Sequence, residues 1–413
     1  MDDARERRCL IALHLVPELG AVRIARLVST LGSAAAAWEA PADVLAGVPG
    51  IGPRLAAFIE RGRGAERGRG AERGRGAERG RGAVDVDRAL GRAADRGVRI
   101  ITWLDAGYPE RLRPLRDAPP VLYVGGAWSG GSAPAVAVVG TRRASAYGLG
   151  IARTLGEMLA ASGVVVVSGL ARGIDRAAHT GALRSGGVTV GVLGCGVDVA
   201  YPPEHRSLIE AMRHAGAVIA ELPMGTPPRP QQFAPRNRLV SGLAEAVVVV
   251  EGDVDSGAVI TARYAAAQGR PVFAVPGSIY ARQSRGPHHL LAQGARVLDT
   301  PETLFRALGL PCGPAPTGGG VPAAGVEIGT EEARILGVLD EQGTHIDTIA
   351  ARARLGAAAA AALLAALEVR RLVRQLPGLW YARQTARTRW PQAEAPRTAS
   401  EDAGGAPWRN HSS

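Results

Sequence analysis

Five stretches of this chain group glycine, hydroxyl and guanidinium in the manner of an anion seat. In GTRRASAYG (140–148), Gly140 permits close backbone approach, Thr141 supplies a hydroxyl, and Arg142 and Arg143 supply charge. Ser145 suits the N-cap of a following helix, whose positive end would face the same point. SGLARGIDRAAH (168–179) brings Ser168, Gly169 and Gly173 into a tight loop with Arg172 as its cation. GCGVDVAYPPEHRSL (194–208) adds a glycine-lined turn, Tyr201, His205 and Arg206. FAPRNRLVSGLAE (233–245) sets Arg236, Asn237 and Arg238 at a predicted helix entrance, a set suited to phosphodiesters and base edges. EGDVDSGAVITARYAA (251–266) puts Ser256 and Gly257 at a helix start.

The same stretches give little support to bond-breaking chemistry. Asp175 and His179 are four apart and share a helical face, but acids suit helix N-termini, so a helix-start Asp and a packing histidine are expected. Cys195 reads as a small buried thiol. Glu251, Asp253 and Asp255 read as a solvated acidic loop rather than a cation site. All 49 basic residues are Arg, which removes a P-loop lysine and any Schiff-base enzyme. Cys9, Cys195 and Cys312 share no short spacing, and GxGxxG is missing, so neither metal nor cofactor is expected.

The positioning elements follow from the apolar runs. Valine-rich segments at 136–139, 164–167, 188–193, 218–222, 247–250 and 272–275 alternate with helical stretches such as 150–161 and 258–268. Continuous apolar strands separated by helices predict an α/β, Rossmann-like, doubly wound parallel sheet at 134–310, with ligands at the strand C-termini. Residues 1–60 read as a helical module of helix-hairpin-helix type. Its turn at Pro49, Gly50, Ile51 and Gly52 can meet a phosphate or merely join two helices. Residues 61–83 carry three RGRGAE units and a final RGRGA, which hold +5 of the +11 net charge. Global basicity is therefore a weak argument for nucleic acid. A connector is expected at 84–133, a linker at 311–326, a winged-helix-like module at 327–383 and a disordered tail at 384–413. No apolar run reaches about 18 residues, and the short run after Arg5, Arg7 and Arg8 lacks a small-residue cleavage site. A soluble cytoplasmic protein is expected, with no membrane partner.

Taken in order, VAVVGTRRASAYG, SGLARGIDRAAH, GVDVAYPPEH, FAPRNRLVSGLAE, SGAVITARYAAAQGRPVFAVPG and SRGPHHLLAQGA resemble the DNA-processing protein A family (DprA, also called Smf) over residues 100–300. The resemblance implies single-stranded DNA binding and shielding, loading of the RecA recombinase during natural transformation, and a homodimer formed through the central domain. It carries DNA-binding roles onto Gly140, Thr141, Arg142, Ser168, Gly169, Gly173, Asp175, Arg236, Asn237 and Arg238. Arg206 stands in for a lysine of many relatives, and His205 and His288 stand where relatives often have Asn. The RGRGAE repeat lies outside the family pattern.

Two readings follow. One is a non-enzymatic single-strand binder with an arginine groove and a few stacking residues such as Tyr147, Tyr201 and Phe233. The alternative is a nucleotide-processing enzyme of the lysine-decarboxylase-like phosphoribohydrolase type. Its PGGxGTxxE signature is replaced here by DSGAVITARYA, which lacks the catalytic Glu.

Overall fold

Valine in short runs flanked by glycine fixes where the strands form, because β-branched side chains pack well on a pleated surface buried on both faces. The structure, a computed structural model, describes residues 3–68, 84–128, 130–310, 329–339, 343–369, 372–376 and 378–383. They divide into two compact units, within Met1–Pro314 and Ala315–Ala406. The expected linker (311–326), the tail (384–413) and residues 69–83 of the repeat lie outside the described residues.

The first unit opens with helices α1 (Asp3–Leu15), α2 (Ala21–Leu31), α3 (Ala34–Glu39), α4 (Ala42–Ala46) and α5 (Pro53–Gly68). Helix α5 thus extends into the repeat. Between α4 and α5 the predicted turn is present: Gly50 has φ +88°, and Arg26 Nη1 donates to Pro49 O at 2.7 Å. Next come α6 (Val86–Ala94), β1 (Val98–Thr102) and β2 (Val121–Gly126). The sheet then continues through β3 (Ala135–Val139), α7 (Ala146–Ala161), β4 (Val165–Ser168), α8 (Ile174–Arg184), β5 (Thr189–Leu193), α9 (Arg206–Ala215) and β6 (Ala217–Ala220). It ends with α10 (Pro230–Gly242), β7 (Ala246–Val249), α11 (Gly257–Ala267), β8 (Val272–Ala274), α12 (Arg285–Ala292), β9 (Arg296–Val297) and α13 (Pro301–Leu308).

One nine-stranded sheet results, in the order β1-β2-β6-β5-β4-β3-β7-β8-β9. Strands β3 to β9 pair in parallel, whereas β2 runs antiparallel to both β1 and β6. Besides the short helix expected near Val84 to Arg96, present as α6, residues 84–133 supply two strands that the connector reading did not include. The proline content of this stretch and the exposed Arg99 obscured them in the sequence. Strand side chains alternate between faces. Val136 and Val138 pack in the α7, α8 and α13 layer, while Ala137 and Val139 pack in the α10 and α11 layer. The helical module shares a third core with the β1-β2-β6-β5 end, where Leu10, Ile24 and Leu27 join Val121, Tyr123 and Leu193.

The second unit has α14 (Thr330–Val338), β10 (Thr344–His345), α15 (Ile346–Ala353), α16 (Ala357–Val369), β11 (Val373–Leu376) and β12 (Trp380–Arg383). Its strands order β10-β12-β11 over a core that includes Ile335, Ile349, Leu364 and Tyr381, which is a winged helix. Among the described residues no single helix is long and apolar enough to cross a membrane.

Candidate nucleic-acid interface

Strand β3 lies between β4 and β7, so the winding reverses there and the loops after β3, β4, β5, β6 and β7 gather at one edge. Backbone bonds tie three of them together. Thr141 N–H donates to Glu251 O at 2.7 Å, and Ile174 N–H donates to Thr141 O at 3.3 Å. Gly173 makes the second junction possible: its φ is +75°, and a Cβ there would sit 2.3 Å from Thr141 O.

Several residues assigned to DNA contact are instead internal to this edge. Ser168 is fully buried, and its Oγ donates to Val138 O at 2.6 Å, locking β4 to β3. Asp175 is buried and accepts from the Gly169 and Ala171 N–H groups at 3.1 and 3.2 Å. Burial raises its pKa, opposed by the Ala171 N–H and by the Arg236 charge. Arg236 is buried as well, donating from Nη1 to Gly169 O at 2.8 Å and to Val192 O. Burial pulls its pKa down to about 10. Asn237 donates to Gly257 O at 3.0 Å. Arg238 is buried and donates from Nε to Asp117 Oδ2 at 2.7 Å and from Nη2 to Glu221 Oε1 at 2.8 Å.

The reason is the start of α10. Pro230 occupies its first turn, so Arg236, Asn237 and Arg238 sit nearly two turns inside the helix, buried against β5, α11 and the Asp117–Glu221 pair of acids respectively, rather than at its entrance. The expected solvated acidic loop is also corrected at Glu251, which is only 5 % exposed. Its carboxylate accepts from the Ser145 N–H at 2.9 Å and the Ser145 hydroxyl at 2.5 Å. Ser145 does cap α7, accepting from Gly148 N–H at 3.0 Å, but a Cβ at Gly148 would lie 2.4 Å from the Glu251 carboxylate. The α7 N-terminus, one of the anion seats expected from the sequence, therefore already holds an acid. Asp253 pairs with Arg282 at 2.6 Å, and this holds its carboxyl below the usual range.

The solvent side of the edge keeps a different cationic set. Arg142, Arg143, Arg172 and Arg206 are exposed. Arg176, in the first turn of α8, is exposed too. Arg172 is paired with Glu204, whose carboxyl it lowers to about 2. The Arg142 guanidinium lies 5.8 Å from the Phe233 ring centroid, and Phe233 and Tyr201 are 5.3 Å apart. Gly140, Thr141, Gly169 and Ser256 are half-buried, and Gly257 is exposed at the start of α11. The Ser256 side chain makes no cap bond to α11.

No acid–base pair emerges from Asp175 and His179. The histidine is fully buried, bonds Thr189 Oγ1 through Nδ1 at 2.7 Å, and is lowered by burial to about 3. His205 is buried beside Leu170 O at 3.1 Å, and His288 holds Gly277 O at 3.1 Å, so both anchor loops. Cys195 is a buried thiol raised by burial to about 11. In the winged helix, the exposed positions described on α16 are Ala357, Ala358, Ala359, Ala361, Ala362, Ala365, Ala366 and Glu368, which offer no donor to phosphate or base edge.

Residues 99–309 match the model of the family described as DNA recombination-mediator protein A, and residues 322–378 match that of the DprA winged helix domain. Protein Smf of Synechocystis is 35 % identical over 322 residues, covering 69 % of this chain and 80 % of the relative. A putative DNA processing protein DprA of Mycobacterium tuberculosis is 39 % identical over 318 residues, covering 71 % and 81 %. The X-ray structure of DprA from Streptococcus pneumoniae aligns with TM-score 0.59 and 29 % identity, covering 72 % of this chain and 95 % of that one.

Proposed function

Because the chain belongs to the DNA-processing protein A (DprA/Smf) family, we propose that it binds single-stranded DNA along the strand-end rim and breaks no bond in it. The observation that carries this reading is the exposed Arg142 guanidinium over Phe233, itself stacked near Tyr201, with Arg143, Arg172 and Arg206 also on the solvent side. Guanidinium groups neutralise phosphates, and the aromatic faces accept a base of any identity. Gly140, Thr141, Gly169, Gly173 and Gly257 shape the backbone beneath. In the cytoplasm such a homodimer would shield incoming DNA and pass it to RecA in natural transformation.

The test is digestion of an oligo-dT by a single-strand nuclease with and without the protein, followed by RecA filament formation on the same strand. Protection by the wild type, lost in Arg142→Ala, with faster RecA assembly, is the expected result. Digestion unaffected by saturating protein would overturn the reading. Release of free base from a nucleotide panel would instead revive the enzymatic alternative.

A further inference from the structure

We propose that the loop between β8 and α12 presents Tyr280, with Ile279 beside it, as a second stacking platform for an unpaired base of the strand crossing the rim. This rests on the single-strand reading above and extends its path past the Arg142 cluster.

Ile279 is 75 % exposed and Tyr280 93 %, whereas every other exposed large hydrophobic among the described residues is at 53 % or below. Isolated apolar residues on a surface are ordinary, but two adjacent ones at the tip of a fixed loop are not. The loop base is firmly held. His288 Nε2 bonds Gly277 O at 3.1 Å, Gly252 N–H donates to Gln283 O at 2.6 Å, and Gly286 N–H donates to Gly252 O at 2.8 Å. At the tip, Ala281 N–H donates to Ser278 O at 3.1 Å, closing a turn around Ile279 and Tyr280. An aromatic ring on such a loop loses little conformational freedom when it is covered.

The loop is continuous with the rim. The Tyr147 hydroxyl, from the first turn of α7, donates to Pro276 O at 3.3 Å, which joins the loop to the segment that bears Arg142 and Arg143. Arg282 and Arg285 follow the tip, their side chains 82 % and 62 % exposed, both drawn toward Asp253. A planar apolar face with guanidinium neighbours fits a base attached to a phosphate backbone better than an acidic or purely apolar protein surface.

The experiment uses the full chain and fluorescein-labelled oligo-dT of graded length, read by anisotropy, with Tyr280→Ala and Tyr280→Phe. The long oligonucleotide is expected to lose affinity on the order of tenfold with Tyr280→Ala and to stay within about twofold with Tyr280→Phe, since stacking needs the ring and not the hydroxyl. Oligonucleotides too short to reach from the Arg142 cluster bind both variants as the wild type does. A single abasic position moved along the long strand should weaken the wild type at one place, where Tyr280→Ala adds no further loss. Wild-type affinity in Tyr280→Ala, an equal loss at every length, or a changed oligomeric state with unchanged binding would each overturn the inference alone. Failure of the wild type to bind any single strand would overturn the functional reading and this one with it.

Discussion

Replacing Arg236 by alanine separates a buried strut from a DNA contact. The guanidinium donates to Gly169 O and Val192 O and is the counter-charge of Asp175, which is 5 % exposed. Removing it leaves a carboxylate buried without its cation, and breaking such a pair costs about 3–5 kcal/mol. A domain of about 300 residues unfolds with an entropy on the order of 0.6 kcal/mol/K, so Tm should fall by roughly 5–8 °C. Arg142→Ala removes an exposed side chain, an effect of about 0.5 kcal/mol or less on stability, so its Tm should move by no more than about 1 °C while oligonucleotide affinity drops about tenfold. Pairing Arg236→Met with Asp175→Asn should recover much of the loss, because no uncompensated charge remains. Thermal unfolding followed by circular dichroism, run beside anisotropy titrations, reads both quantities. An Arg236→Ala protein with wild-type Tm and abolished binding would refute the reasoning, since the side chain would then have been serving the ligand and not the fold.

Two further outcomes follow from the same geometry. Gly173→Ala, at φ +75° and 2.3 Å from Thr141 O, should cost several kcal/mol and separate the loops that bear Arg142 and Arg172; urea unfolding and binding at low temperature should both report it. Burial holds His14 at about 4 and His179 at about 3 in the folded chain, below the ordinary 6.5. The unfolded chain therefore takes up protons first as pH falls, so this contribution is complete above pH 6.5 and is lost toward pH 4, at up to ~1.4 kcal/mol per pH unit for each histidine. Asp175, shifted upward, offsets part of that loss. A Tm equal at pH 7.5 and 5 would contradict it.

Much of the scaffold was legible because valine runs and intervening helices obey simple periodicities, and the parallel strands lie where those runs are. Strands β1 and β2 were not, since VRIIT is only five residues with a charge inside it and VLYVGG follows two prolines. At the site, residue type alone did not tell inward from outward. Arg142 and Arg238 read alike as guanidiniums near strand ends. One projects from a loop, while the other sits inside a helix that begins six residues before Arg236, against Asp117 of the supposed connector. Glu251 was misread for a similar reason: an acid among acids suggests water, and only the fold brings Ser145 against it.

The central claim is an exposed arginine rim gripping an unpaired polyanion, and equilibrium binding to oligo-dT and to a matched duplex across a salt series tests it most directly. If Arg142, Arg143, Arg172 and Arg206 each neutralise one phosphate, log affinity for the single strand should fall against log salt with a slope of about −3, and Arg142→Ala should flatten it by about 0.7. The duplex should bind more weakly at every salt. A preference for duplex, or a slope untouched by Arg142→Ala, would contradict the account.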